Sequence, residues 1–123
     1  ADPHAILVAK TAWDIARSVG YPEAKIPLAQ AVCYIAAAPK SNACYKAINK
    51  ALEDIKENGI SEIPSHLKNL SKDKKFYKYA HDYKGNYVPQ KYMLDEKEFY
   101  NPTENGYEQT IKKRLEAWKQ KKK

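Results

Sequence analysis

The sequence predicts an all-α protein: a compact helical bundle of about four main helices, followed by an irregular tyrosine-rich arm and a C-terminal helix. Apolar residues recur every three or four positions through the first half, which is the period of an amphipathic helix. Prolines and glycines stand at the ends of these runs, where helices start and stop. We expect an alanine-rich helical core over residues 1–58, an aromatic and basic arm packed on it over 59–106, and a C-terminal helix with a lysine tail over 107–123.

The first helix is predicted to begin at Asp2-Pro3, an N-cap residue followed by a proline at the first helical position. Gly20 ends this helix. Its apolar residues recur at helical spacing, with Ala12 and Ile15 beside them: Ile6, Ala9, Trp13, Ala16 and Val19.

The second helix is predicted to run from Pro22-Glu23 to about Ala38. Pro39 ends it, because the residue before a proline is pushed away from helical dihedral angles. Leu28, Val32 and Ile35 supply an apolar ridge, and the many alanines let neighbouring helices approach closely. A helix this apolar on most sides is expected to lie at the centre of its bundle.

The third helix is predicted from about Asn42 to Glu57, with Ser41 or Asn42 accepting its first N–H bonds and Asn58-Gly59 as a left-handed stop. One face is apolar and the opposite face is polar. The apolar face contains Tyr45, Ile48, Leu52 and Ile55, and the polar face contains Lys46, Asn49, Lys50, Glu53 and Lys56.

The arm has no helical period. The stretch Ile60–Asn69 is expected to be an ordered, irregular strip laid over the bundle through Ile60, Ile63 and Leu67, and Ser71–Lys75 to be polar and mobile. Phe76–Tyr92 is aromatic, basic and interrupted by glycine and proline. A stretch this rich in aromatic residues is not typical of disorder.

A turn and a last helix complete the chain. The stretch Tyr100–Gly106 contains the residues that form turns, and a helix is predicted from about Tyr107 to Lys119. Its apolar face carries Ile111, Leu115 and Trp118. Its cationic end suits the helix dipole.

The composition bounds the class of protein. A chain of 123 residues is one domain or part of a larger protein, and the missing starting Met indicates a piece of something longer. No run approaches the roughly 18–20 apolar residues of a membrane span. The net charge of +7 belongs chiefly to the second half and its lysine tail. Cys33 and Cys44 lack metal-binding spacing and are predicted to be reduced, buried thiols.

No catalytic or cofactor site is predicted. Lys40-Ser41 resembles the end of a phosphate-binding loop, but the glycines are missing, so a helix cap beside an exposed lysine is favoured. No histidine pair has the spacing of a helical metal site, and His66 and His81 are expected to be hydrogen-bonded loop residues. No nucleophile, base and orienting group can be assembled.

One cluster suits single-stranded nucleic acid. Aromatic rings that can stack on bases alternate with lysines that can contact phosphates between Lys74 and Lys84. The interpretation that is favoured over it is that these tyrosines form the apolar side of an arm packed on the core, with the lysines facing water, since tyrosine tolerates half-burial. The candidate DNA-contacting residues are Lys40, Lys74, Lys75, Lys78 and Tyr79. The tail of Lys121, Lys122 and Lys123 would add non-specific phosphate affinity, although a frayed, solvated end is the favoured interpretation.

Four ordered blocks resemble one known family. They are the run from Gly20 to Ala47, with its Pro-Glu-Ala-Lys-Ile-Pro-Leu-Ala-Gln and Ala-Pro-Lys-Ser-Asn segments, then Ile63–Asn69, Tyr79–Tyr83, and Tyr100–Thr103 followed by Gly106 and Glu108. Together they are similar to the C-terminal region of the replication-associated recombination protein A (RarA, or MgsA) family of clamp-loader-like AAA+ ATPases. The stretch between Asn69 and Tyr77 has no match.

The resemblance implies a function for the parent protein. It would be a DNA-stimulated ATPase acting at stalled replication forks in the cytoplasm, associated with the nucleoid. ATP and Mg would be held in an N-terminal region outside this chain. This piece would be collar-like and form homotetramers, with DNA and single-strand-binding protein as further partners, no membrane contact and no enzymatic activity of its own. The residues expected in the structural or oligomer core are Leu28, Ala29, Val32, Ile35, Ala36, Pro39, Ser41, Asn42, Ile48 and Leu52.

Overall fold

The fold is all-α, as predicted. A computed structural model describes residues 1–120 and contains four α-helices: α1 (Ala5–Val19), α2 (Lys25–Ala37), α3 (Ala43–Asn58) and α4 (Glu108–Gln120). Three short 3₁₀ helices, Ser65–Leu67, Lys72–Phe76 and Ala80–Asp82, lie in the arm. The described residues contain no strand. The predicted lysine tail, residues 121–123, lies outside the described range.

The helices end where glycine and proline punctuate the sequence. Gly20 follows α1 with a φ of 71°, and its N–H donates to the Ala16 carbonyl. Ala38, the residue before Pro39, adopts an extended conformation and closes α2. Gly59 stops α3 at a φ of 74°. The start of α2 differs from the prediction, because a turn at residues 21–24, which includes a cis Tyr21–Pro22 bond, precedes the helix.

The chain divides into two compact units. The first contains Ala1–Asn42 and Pro102–Lys112, and the second contains Ala43–Asn101 and the described residues that follow Lys112. In the first unit α1 packs on α2. The buried residues of α1, α2 and the turn between them are all alanines, which agrees with a close helix–helix approach: Ala12, Ala16, Ala24 and Ala31.

The prediction that α2 is central is wrong for the single chain. Ala31 is its one buried residue, and Val32 keeps 66 % of its surface exposed. Alanines therefore form the contact between α1 and α2, while the larger apolar side chains of both helices remain largely in solvent: Ile6, Leu7, Trp13, Val19 and Ile26.

The arm in the second unit is ordered through short turns. Ser71 caps the 3₁₀ helix Lys72–Phe76 by accepting the Asp73 N–H at 3.1 Å, so the segment predicted to be mobile is a capped turn. Ile60 is 90 % exposed and Ile63 is also exposed, so the predicted packing through these two residues is wrong. Val88 and Pro64 are the buried residues of this region.

Both cysteines are free and exposed. The prediction that Cys33 and Cys44 are buried is therefore wrong. Each cysteine lies beside an apolar helix face, and no other described part of the single chain covers these faces.

Candidate oligomerisation surface

A buried carboxylate holds the first unit together. Glu108, the first residue of α4, is 4 % exposed. Its Oε2 accepts from the backbone N–H and the hydroxyl of Thr103, both at 2.7 Å, and from the Ser41 hydroxyl at 2.9 Å. Burial raises the pKa of Glu108, but the hydrogen bonds from Thr103 and Ser41 outweigh it, so the pKa lies below its usual value. The carboxylate is therefore charged, and it lies at a helix N-terminus where the dipole favours that charge.

Hydrogen bonds to and from Lys40 hold the turn after α2 in place. The Lys40 ammonium donates to the carbonyls of Ile35, Ala36 and Ala38, which α2 leaves without helical partners at its end. The Asn105 side chain donates to the Lys40 carbonyl at 3.0 Å. Lys40 is exposed, as the favoured interpretation of Lys40-Ser41 predicted, and its ammonium caps the end of α2, which was not predicted. The Ser41 hydroxyl donates to Glu108.

Gly106 permits a close approach in this turn. Its φ is +52°, and a Cβ at this position would lie 2.7 Å from the Ala1 carbonyl oxygen and 3.0 Å from the Pro39 ring. The next residue, Tyr107, donates its N–H to that same carbonyl at 2.9 Å. Any larger residue at position 106 would push these segments apart.

In the second unit, α3 is held by its polar face. The Lys50 ammonium donates to the Glu98 carbonyl at 2.7 Å, and the Lys97 ammonium contacts both carboxylate oxygens of Asp54 at 2.6 and 2.8 Å. The hydrogen bond from Lys97 holds the pKa of Asp54 below its usual value, and Asn58 adds a second bond to that carboxylate. These polar contacts determine which side of α3 faces the irregular segment around residues 97–98.

The opposite face of α3 is apolar and uncovered. Its four large side chains keep between 51 and 68 % of their surface exposed: Tyr45, Ile48, Leu52 and Ile55. We call this set the α3 stripe. Exposed rows of large apolar side chains are typical of interaction surfaces.

The predicted core residues therefore fall into two classes. Leu28, Ile35 and Ser41 are half-buried. The others are exposed in the single chain: Ala29, Val32, Ala36, Pro39, Asn42, Ile48 and Leu52. Glu108 and Thr103 were not among the predicted site residues. The turn-forming residues around Thr103 indicated a turn there, but nothing in the local sequence indicates that Ser41 bonds Glu108.

The predicted DNA-contacting residues do not form one site within a unit. Lys40 belongs to the first unit, and the others belong to the second. There, Lys74 lies 4.7 Å from the centre of the Tyr77 ring and Lys75 lies 5.1 Å from that of Phe76, both within cation–π range. The Gln90 side chain bonds the backbone N–H and carbonyl of Lys78 at 3.1 and 2.9 Å. Tyr79 is exposed beside His81, with 5.1 Å between ring centres.

Three further features of residues 1–120 bear on function. No group of three or more His, Cys, Asp or Glu within residues 1–120 could hold a metal ion. The Nε2 atom of His66 is buried without a hydrogen-bond partner there, which differs from the predicted hydrogen-bonded residue. None of the described helices has the length and apolar character needed to cross a bilayer.

Comparison with known proteins identifies relatives over nearly the full chain. Residues 1–119 match the family described as MgsA AAA+ ATPase C terminal. Proteins named Replication-associated recombination protein A are similar: 38 % identical in Coxiella burnetii, 40 % in Haemophilus influenzae and 39 % in Escherichia coli K12. These matches cover 97, 94 and 96 % of this chain.

The chain spans less than a third of each relative's length: 30, 28 and 29 % in the same order. The family match is to the C-terminal domain of these ATPases and not to their catalytic module. This chain belongs to the MgsA (RarA) AAA+ ATPase C-terminal domain family.

Proposed function

We propose that this chain is the oligomerisation domain, forming homotetramers, of an AAA+ ATPase that acts in DNA replication, recombination and repair at stalled forks. The observation that carries the proposal is the exposure of large apolar side chains on three helices of the single chain. Membership of the family supplies the expected parent protein.

The uncovered side chains support this proposal. They are the α3 stripe and the large apolar residues of α1 and α2. Such side chains gain free energy when another chain covers them, at about 25 cal/mol for each Å² removed from water.

Light scattering of the purified chain tests the proposal. We expect a mass near four times 14.1 kDa at micromolar concentration, falling on dilution. A mass of 14.1 kDa, that of a single chain, at every concentration measured would contradict the proposal.

ATP and Mg would act in the part of the parent that precedes this domain in its relatives. We therefore expect no ATP hydrolysis by this chain alone. Turnover by the purified chain, above that of a mock preparation, would contradict this assignment. For the parent we also propose DNA and single-strand-binding protein as partners and the nucleoid as its location.

A DNA-contacting role is the second candidate. It is favoured by Phe76 and Tyr79, which are exposed beside Lys74, Lys75 and Lys78. Aromatic faces can stack on bases while lysines neutralise phosphates. Binding should weaken with salt, with a slope of about 0.7 in log K per log[salt] for each phosphate contacted on a single strand.

A matched pair of triple variants tests this role. Replacing Lys74, Lys75 and Lys78 by alanine should lower both the affinity for single-stranded DNA and the salt slope. Replacing Lys10, Lys25 and Lys46 by alanine removes the same charge elsewhere. Equal losses in the two variants would indicate a general effect of charge and would contradict a site at residues 74–79.

A further inference from the structure

The α3 stripe has the spacing of a helix–helix seam. Its members follow one another at intervals of three, four and three residues: Tyr45, Ile48, Leu52 and Ile55. This is the a/d pattern of a coiled coil, in which each side chain fits between four residues of a facing helix. All four are more than half exposed, so no described residue of this chain fills that role.

The other face of α3 fixes how the helix is rotated. Lys50 and Asp54 bond the segment at residues 97–98, and Ala43 is buried. These positions lie on the side of the helix away from the stripe. Turning the stripe toward its own unit would break the Lys97–Asp54 pair, whose side chains are only 26 and 20 % exposed.

We propose that α3 pairs antiparallel with α3 of a second copy of this chain, across a twofold axis near position 50. This rests on the proposed oligomerisation function and names the surface and the orientation. In this arrangement Tyr45 faces Ile55 of the second copy, and Ile48 faces its Leu52. The stripe is then complementary to itself, as a twofold contact requires.

Charge favours the antiparallel orientation. Lys50 and Asp54 are left aside, because they bond residues 97–98 on the opposite face. Of the other charges, Lys46 gives the first half of α3 a net charge of +1, and Glu53 and Glu57 against Lys56 give the second half a net charge of −1. Antiparallel pairing places each half beside the opposite charge. Parallel pairing would place like charges together, which costs free energy. Antiparallel helix dipoles add to the same preference.

The borders of the stripe also suit a second copy. The positions that flank it in the heptad pattern are mostly uncharged, with Cys44 and Ala51 on one side and Asn49 and Lys56 on the other. Ala51 would lie close to its counterpart near the axis, where a small side chain permits close approach. Few charges would lose water when the two helices meet.

A twofold contact of this kind joins two chains. A tetramer then needs a second surface, for which α1 and α2 offer exposed apolar residues such as Ile6 and Val32. Disrupting α3 should therefore halve the mass of the tetramer rather than alter its fold.

Cysteine crosslinking tests the orientation. Cys33 and Cys44 are exposed and are first replaced by serine. One chain then carries Tyr45→Cys, and a second, tagged chain carries Ile55→Cys. When the two are coexpressed and treated with a short bifunctional maleimide, we expect crosslinks between the different chains. Each chain alone should crosslink poorly, because like positions are separated by about 15 Å along antiparallel helices.

Each outcome decides the proposal. Efficient crosslinking of Tyr45→Cys to itself would indicate parallel pairing and overturn it. An oligomer of the expected mass with no crosslink would show that another partner or surface covers the stripe, which also overturns it while leaving the proposed function intact. If this chain, without the substitutions, is a monomer, both the α3 pairing and the proposed oligomerisation function are contradicted.

A mass measurement on substituted chains provides a second readout. Leu52→Glu should reduce the tetramer to half its mass. The matched control is Ile60→Glu, which places the same charge on an exposed isoleucine outside the helix and should leave the mass unchanged. The circular dichroism spectra of both variants should match the spectrum of the unsubstituted chain. A tetrameric Leu52→Glu variant would overturn the pairing.

Discussion

Glu108 joins residues that are far apart in the sequence. Its carboxylate accepts hydrogen bonds from Ser41 and Thr103 in a place almost closed to water. Hydrogen bonds to a charged group are worth about 1.5–3 kcal/mol. One acidic side chain thus determines how the turn after α2 meets the start of α4.

Replacing Glu108 by glutamine removes the charge and keeps the shape. We expect the free energy of unfolding at pH 7 to fall by about 2 kcal/mol, measured by urea denaturation. The folded pKa is lowered, so the contribution of Glu108 is complete above its usual pKa of 4.5 and is lost as the pH falls through the lower folded value.

The difference between the two chains should therefore shrink on acidification below pH 4.5. Glu116→Gln, on the exposed side of the same helix, serves as the control and should change stability little. A pH-independent difference would show that packing, rather than charge, accounts for the effect of Glu108→Gln.

Gly106→Ala tests the close approach in the same turn. The new Cβ would meet the Ala1 carbonyl oxygen and the Pro39 ring, and the positive φ adds strain. We expect a loss of more than about 1 kcal/mol in the free energy of unfolding. Gly59→Ala is the matched control, because Gly59 also has a positive φ but nothing within 4 Å of the Cβ position. Equal losses would assign the whole effect to backbone strain.

At the scale of elements, the helices could be predicted because their signals are local. The predicted end of α1 at Gly20 and that of α2 before Pro39 are confirmed, and α3 lies within one residue of its predicted bounds. The 3₁₀ helices of the arm were not predicted, because three to five residues are too few to show a period.

The face of α3 that contacts its own chain could not be predicted. The spacing of apolar residues along a helix identifies which side chains are to be buried, but it does not show whether the residues that cover them belong to the same chain. Here Lys97 and Glu98, more than forty residues away, bond the polar face and leave the stripe exposed. The same limit explains why α2 was expected to be central and is not.

Gln90 offers a test of order in the arm. Its amide bonds both backbone groups of Lys78 and the Tyr92 hydroxyl. Gln90→Leu should remove these bonds and increase the rate of hydrogen exchange at the Lys78 amide, measured by NMR, because that N–H loses its acceptor. Gln109→Leu, at an exposed position in α4, is the control. An unchanged exchange rate at Lys78 would contradict a structural role for Gln90.

At the scale of the whole molecule, stability should depend on protein concentration. A chain that buries its large apolar residues only against other copies is stabilised by mass action. We expect the midpoint of thermal unfolding to rise by about 3 °C for each tenfold increase in concentration. Leu52→Glu should reduce this dependence and Ile60→Glu should preserve it. A midpoint that is constant over two decades would contradict oligomerisation.

The bond between Ser41 and Glu108 spans 67 residues. During synthesis α1 and α2 leave the ribosome long before their last partner, residues 102–112, has been translated. The nascent chain must therefore pass through a period in which Glu108 has not yet been made and the first unit is incomplete. Closure of so long a loop places the completion of this unit among the final events of its biogenesis.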